Sequence, residues 1–376
     1  MVMGIRESVR DAVFSIRDIS EKAGRMDDTV RLDIGQPDFE TPSEVKKAAS
    51  EAIREDHITY TSLWGIPELR KEAADYESWK TEMGEKNIMV TTGGIGALHC
   101  ILTGFLEPGE NVVMNDPAWM PYSLISRVSP GTFGQVPYFD EDGEVRASAI
   151  RDSIGEDTEL LLLNSPENPT GRVYTEEQVK TLGELAEEEG LWIVSDEVYD
   201  HLLYGDAEHV SAAEHFPDRT LIVNSMSKNF AMTGWRIGWV ASRDEEMIHE
   251  LGKVNRASTA CPNYIGQKAA LTALKESQDY VNDMREEFED RQELVLQHVE
   301  DLGWDSVNPE GAIYAFPDVE QDSWEFAHSL LENEGVAVVP GSAAGGSGDT
   351  NVRICFGSAT QEDIEEGFQR IKRFVG

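Results

Sequence analysis

The sequence predicts an α/β fold in two parts: a large domain on a central, mostly parallel sheet, and a smaller α+β domain. Three observations carry this. Between about residues 87 and 241, short β-rich runs alternate with helical patterns. Several of these runs, such as ELLLLNSP (159–166) and LWIVSDEVY (191–199), are nearly continuous in apolar residues, as expected of strands covered on both faces. After 243 the pattern changes to a long helix, then short strands around another helix.

In chain order, the strands expected in the large part begin with NIMVTT (87–92), NVVMND (111–116) and TFGQVPY (132–138). ELLLLNSP and LWIVSDEVY follow, then TLIVNSMS (220–227) and WRIGWVAS (235–242). GIGALHCILTGFL (94–106), WMPYSLISRV (119–128) and TEEQVKTLGELAEEEG (175–190) carry helical spacing between them. Thr175 and Gln178 form a capping-box pattern, and Gly190 marks the stop. A connecting helix is expected from roughly 277 to 302. GAIYAFPDV (311–319), GVAVVPG (335–341) and NVRICFG (351–357) read as strands around the helix WEFAHSLLENEG (324–335). TQEDIEEGFQRIKRFV closes the chain. The expected division is 41–275 for the large domain, with 1–40 and 276–376 forming the small one. GSAAGGSGD (341–349) reads as a flexible loop within the latter. DEDGE (140–144) reads as a hairpin or loop, since it lacks the longer ligand loop of a calcium site.

Composition narrows the function. At 376 residues and 40% hydrophobic, the chain can bury a large core. Its formal net charge of −39 repels nucleic-acid phosphates and anionic membranes, so neither is an expected partner. The acid is spread among apolar residues at helical spacing, as in EEFEDRQE (286–293), and reads as solvated helix faces. Self-repulsion at this charge strains a compact fold, and roughly molar salt, with a Debye length of about 3 Å, screens it. A high-salt, halophilic setting is the expectation. Cys100, Cys261 and Cys355 are far apart and odd in number, which argues against disulfides and a zinc site, and the expected metal content is none. MVMGIRESVRD does not look like a signal peptide, and no run approaches the ~20 apolar residues of a membrane span. A soluble, cytoplasmic protein is expected.

In an open α/β sheet, ligands collect beyond the carboxyl ends of the strands. The polar residues that interrupt the apolar runs fall there. Asn168 follows ELLLLNSP; Asp196 and Tyr199 end LWIVSDEVY; Ser225, Ser227 and Lys228 end TLIVNSMSK. Gly93, Gly94, Ile95 and Gly96 follow a strand and open a helix, whose free N–H groups can face an anion. Each feature alone has an ordinary reading: a tight turn, a cap, a surface lysine. Together they put phosphate donors, a carboxylate, a phenol and an amine at one sheet edge.

These motifs follow one another in a known order: LDIGQPDF (32–39), YTSLWGIPELR (60–70), TTGGIGAL (91–98), NDPAWMPY (115–122), NSPENPTG (164–171), DEVY (196–199) and SMSKNFAMTGWRIGW (225–239). In this the chain resembles the fold-type-I, pyridoxal-phosphate-dependent aminotransferases of class I/II, from LDIGQPDF to NVRICFG. The resemblance implies Lys228 as the Schiff-base lysine and proton carrier, made neutral in part by the nearby charge of Arg236. It implies Asp196 as partner of the pyridine nitrogen, Tyr199 and Asn168 on the ring's phenolic oxygen, and Trp119 on the ring face. Ser225, Ser227, Arg236 and the N–H groups of Gly94 and Ile95 would hold the phosphate. Tyr60 would reach the phosphate of a second subunit, making a homodimer with shared sites. Arg353 would clamp the substrate carboxylate, assisted by Asn168 and the backbone at Gly35.

The activity so implied moves an amino group from an L-amino acid to a 2-oxo acid. Two rivals remain at this point: a lyase reaction on the same scaffold, and a regulator that binds the cofactor without turnover. Oxo-acid-dependent amino transfer separates them. Relatives specific for dicarboxylates set a cation or polar group near the residue after the second glycine of TTGGIGAL. Ile95 stands there, so neutral or aromatic donors are expected. Arg25 and Arg256 are the alternative sources of a cation.

Overall fold

The computed structural model describes residues 15–376. The expectations for residues 1–14, namely their place in the small domain and the lack of a signal peptide, lie outside the described residues.

A short strand, β1 (Val30–Arg31), precedes the main sheet. That sheet is built from β2 (Ile88–Thr91), β3 (Asn111–Asn115), β4 (Thr132–Val136), β5 (Thr158–Asn164), β6 (Trp192–Asp196), β7 (Thr220–Ser225) and β8 (Gly238–Ala241). Its order is β2-β8-β7-β6-β5-β3-β4. The pairs from β7 to β4 are parallel, and β8 runs antiparallel to both neighbours. The β7–β8 connection holds only a one-turn helix, Met226–Asn229, and a 3₁₀ turn, Thr233–Trp235. That is too little to carry the chain back across the sheet, so β8 returns in the opposite sense. It starts at Gly238, later than its apolar run suggests, because Arg236 adopts the left-handed region at φ 58° and bends the chain.

Both sheet faces are covered, which explains the continuous apolar runs. Leu160 and Leu162 pack with Leu98, Ile101 and Leu251 on one side. Leu161 and Leu163 pack with Leu182, Leu185 and Tyr174 on the other. The helix Glu176–Glu188 begins with the expected capping box: Gln178 N–H donates to Thr175 Oγ1 at 3.3 Å, and Thr175 N–H to Gln178 Oε1 at 2.9 Å. Residues 140–144 form a turn between the bridged Phe139 and Val145.

Beyond the helix Gln278–Asp301 lie β9 (Tyr314–Ala315), β10 (Val336–Ala337), β11 (Val339–Pro340) and β12 (Val352–Cys355). β11, β12 and β9 form an antiparallel sheet, while β1 pairs parallel with β10. These strands are much shorter than their apolar runs. Ala312 and Glu320 turn at positive φ, and only Tyr314–Ala315 forms a continuous strand, with isolated bridges at Gly311 and Asp318. Val338 lies where the chain switches from one sheet to the other. The core here joins Ile19 and Leu32 to Phe288, Phe326, Val336 and Phe368. The stretch expected as a flexible loop forms two 3₁₀ turns, Gly341–Ala343 and Gly346–Gly348, and Ser347 N–H donates to Asp116 at 3.2 Å. No helix among the described residues is long and apolar enough to cross a membrane.

Candidate active site

The carboxyl ends of β5, β6 and β7 and the start of the helix Gly93–Phe105 enclose a cavity of about 330 Å³. Gly35, Gly94, Ile95, Trp119, Asn168, Asp196, Tyr199, Ser225, Ser227, Lys228, Arg236 and Arg353 all line it. Tyr60 does not; it stands 88% exposed, beside the exposed Ile58 and a surface groove formed with Cys261–Ile265.

Each side chain is placed by an identifiable device. β6 delivers Asp196 to its last position, where the carboxylate is buried and accepts a 2.7 Å hydrogen bond from Tyr122 Oη. Burial pushes this carboxyl up to about 6, against the opposing pull of Tyr122 and Lys228. Ser225 ends β7 and caps the next turn, its hydroxyl accepting from Ser227 N–H at 3.2 Å and donating to Ser227 Oγ at 3.0 Å. The turn Met226–Asn229 then presents Lys228, whose Nζ donates to the Gly35 carbonyl at 2.5 Å and lies 5.6 Å from the Tyr199 ring centre. Burial is the main force lowering this amine to about 8, with Arg353 and Arg236 pushing the same way and Cys355 and Asp196 resisting. Desolvation therefore outweighs Arg236, which the sequence reading credited.

Arg236 leans on the start of the helix Gly93–Phe105. A Cβ on Gly93, which has φ +70°, would lie 2.6 Å from Arg236 Nη2, so glycine there lets the guanidinium close in. No side chain caps that helix. Its first N–H groups, Arg236, Ser225 and Ser227 make an anion cradle. Arg353, from β12, donates to Asn168 Oδ1 and to the Asp33 carbonyl, each at 3.1 Å. Its Nε is buried without a hydrogen-bond partner among the described residues. Asn168 is fixed by its own N–H, which donates to Asn164 Oδ1 at 2.9 Å.

Among the lining residues that the sequence reading did not single out are Gln36, Asn164, Thr233 and two tyrosines. Tyr122 sits inside the helical run WMPYSLISRV, and Tyr314 inside the apolar run of β9. A tyrosine in an apolar run reads as core, and nothing local marks its hydroxyl as site-facing. Trp239 is buried in the core, while Trp235 is partly buried and its Nε1 donates to Thr41 Oγ1 at 2.9 Å.

Pyridoxal phosphate fits this donor set. The cradle suits its phosphate, the buried Asp196 carboxylate lacks the cation that a protonated pyridine would supply, and a nucleophilic amine lies between them.

Comparison with known proteins agrees. The aminotransferase class I and II family matches residues 27–371. A probable aspartate aminotransferase of Methanocaldococcus jannaschii is 38% identical over 355 residues, spanning 92% of this chain and 93% of that protein. The structure of Thermus thermophilus aspartate aminotransferase with maleate superimposes with a TM-score of 0.93 at 35% identity, covering 99% of this chain and 100% of the other. The aromatic aminotransferase of Pyrococcus horikoshii gives 0.88 at 35% identity, covering 95% and 98%. The chain belongs to the class I and II aminotransferases, pyridoxal-phosphate-dependent enzymes that move amino groups between amino acids and 2-oxo acids.

Proposed function

We propose that Lys228 is the lysine that bonds covalently to the cofactor and carries the substrate proton. The single observation behind this is its amine, lowered to about 8, on the wall of a cavity shared with Asp196, Arg236 and Arg353. When bound, pyridoxal phosphate supplies an aldehyde for amine exchange and a ring that takes up the electron pair of the Cα–H bond. Asp196 holds the ring nitrogen protonated, and Tyr122 in turn holds Asp196. Tyr199 and Asn168 would hold the cofactor's phenolic oxygen, and Trp119 would lie against its ring. Gly94, Ile95, Ser225, Ser227 and Arg236 hold the phosphate. Arg353, with Asn168 and the Gly35 backbone, orients the substrate carboxylate so that the Cα proton is within reach of Lys228 Nζ. The free Lys228 amine, lowered to about 8, would be neutral often enough at physiological pH to accept a proton and give it back.

The donor we infer has an apolar or aromatic side chain. Among the described residues the cations lining the cavity are Lys228, Arg236 and Arg353, each already assigned, and Ile95 and Leu98 contribute apolar surface. Arg25 and Arg256 are exposed and line no part of it. Aspartate is the second reading, favoured by the names of the relatives. The test is kcat/KM for phenylalanine, leucine, methionine and aspartate at one fixed salt concentration. A tenfold preference for aspartate, about 1.4 kcal/mol at the transition state, would overturn the first reading. Borohydride reduction and peptide mapping test Lys228 itself; label on any other lysine refutes the assignment.

We further infer a cytoplasmic, salt-adapted homodimer. Three unpaired cysteines and the net charge of −39 support the setting. The exposed Ile58 and Tyr60 beside the groove at Cys261–Ile265 support a partner surface through which Tyr60 reaches the other site. The core that joins Ile19 and Leu32 to residues of the last third of the chain supports the division into 41–275 and 1–40 with 276–376.

A further inference from the structure

Tyr314 touches three parts of the site at once. Its hydroxyl lies 2.8 Å from that of Tyr199, with the two rings edge to face at 5.9 Å and 85°. The Arg353 guanidinium sits over its ring, 4.6 Å from the centroid. A Cβ on Gly35 would lie 2.7 Å from the same hydroxyl, and the Gly35 carbonyl accepts the hydrogen bond of Lys228. The side chain is 1% exposed, and among the described residues its hydroxyl makes no hydrogen bond except to Tyr199.

A phenol has one proton to give. If Tyr199 spends it on Tyr314, nothing remains for the cofactor's phenolic oxygen. If Tyr314 donates instead, Tyr199 accepts there and keeps its own proton for the cofactor. Burial raises both phenols, Tyr314 to about 12 and Tyr199 well above its ordinary value. Arg353 favours the anion of both phenols, but it ranks directly after burial only for Tyr314, whose rise is the smaller, so Tyr314 is the better donor. The ring does separate work: the Arg353 guanidinium lies over it, held by cation–π attraction, while Arg353 Nε has no hydrogen-bond partner among the described residues.

We propose that Tyr314 is a positioning residue with two separable functions, its hydroxyl orienting the Tyr199 proton toward the cofactor and its ring orienting Arg353 toward the substrate carboxylate. This rests on the roles given above to Tyr199 and Arg353, and goes beyond them in naming the group that sets both.

Two variants separate the functions. Tyr314→Phe keeps the ring and removes the hydroxyl; Tyr314→Leu removes both. The first readout is the pH midpoint of the visible absorbance of the cofactor-loaded protein. A weaker donor on the phenolic oxygen lets the bound cofactor keep its proton to higher pH, so both variants should raise the midpoint, by about half a unit or more. The second readout is the Kd of an unreactive carboxylate, 3-phenylpropionate or succinate, whichever binds the wild type more tightly. Tyr314→Phe should change it less than about twofold, and Tyr314→Leu should weaken it about fivefold. A midpoint unchanged in Tyr314→Phe overturns the hydroxyl function. Equal carboxylate affinities in the two variants overturn the ring function. Failure of the underlying reading shows differently: the wild type itself then carries no reducible bond at Lys228, and the proposal falls with it.

Discussion

The lowered affinity of Lys228 for its proton predicts how the apo-protein takes up cofactor. The covalent step needs the neutral amine. An ordinary lysine titrates near 10.5, whereas Lys228 is held at about 8, first by burial and then by Arg353 and Arg236. At about pH 7.5, a value near 8 leaves roughly a quarter of the amine neutral, against about one part in a thousand for an ordinary lysine. Loading should therefore be about two-hundredfold faster than an exposed lysine allows. The assay mixes apo-protein with pyridoxal phosphate across a pH series and follows the visible absorbance by stopped flow. The rate should climb with pH and level off above about 8. Arg353→Leu removes one of the charges that favour the neutral form, and should move the midpoint up by about half a unit. Lys228→Ala should abolish the reducible product while retaining phosphate binding in the separate cradle. A wild-type midpoint at about 10 or above would refute the argument, because burial would then have no effect on the amine. The linkage has a definite sign. Between about 8 and 10.5 the unfolded chain holds a proton that folded Lys228 has lost, so this residue's contribution to apo-protein stability rises with pH across that window.

Three other outcomes are expected. Tyr122→Phe removes the 2.7 Å bond to Asp196 and should weaken cofactor affinity about tenfold, measured by equilibrium dialysis; unchanged affinity would mean that Asp196 needs no such support. Lys80 is fully buried, with Nζ 2.5 Å from Glu77, 2.8 Å from Glu197 and 2.8 Å from Asp200. Burial alone would lower its pKa, yet the three carboxylates hold it well above the usual lysine value. Lys80→Met strands those carboxylates and should cost about 3–5 kcal/mol in denaturant unfolding, with a loss below about 1 kcal/mol refuting the charge argument. Finally, the net charge of −39 should make the melting temperature rise by several degrees when potassium chloride goes from ~0.1 M to ~2 M; a flat profile would favour simple acidic solubility.

The contrast between Lys80 and Lys228 shows where the sequence was readable. Lys228 ends an apolar strand run among hydroxyls, so its placement at a strand terminus follows from β-sheet geometry. Lys80 sits in ESWKTE and looks solvent-facing, and only the tertiary meeting of the helix Pro67–Glu77 with the ends of β6 and β7 buries it. The parallel core of the sheet was visible in ELLLLNSP and LWIVSDEVY because strands covered on both faces cannot alternate. The direction of β8 was not, since an apolar run looks the same read either way. Tyr122 and Tyr314 were hidden for a related reason: apolar surroundings conceal which single atom of a buried side chain is polar and aimed at the site.

The pairing of β1 with β10 has a consequence for synthesis. Val30 finds its partner only at Val336, and Leu32 donates to the Ala337 carbonyl and accepts from Cys355 N–H. A ribosome releases this strand long before either partner exists, so residues 30–32 wait unpaired until Val336, Ala337 and Cys355 have been added. The main sheet, whose last strand ends at Ala241, can close well before that. The segment carrying Gly35, the acceptor for Lys228, is thus emitted early and seated last. A nascent chain stalled before Val336 could hold the closed main sheet but not Arg353, which has not yet been added.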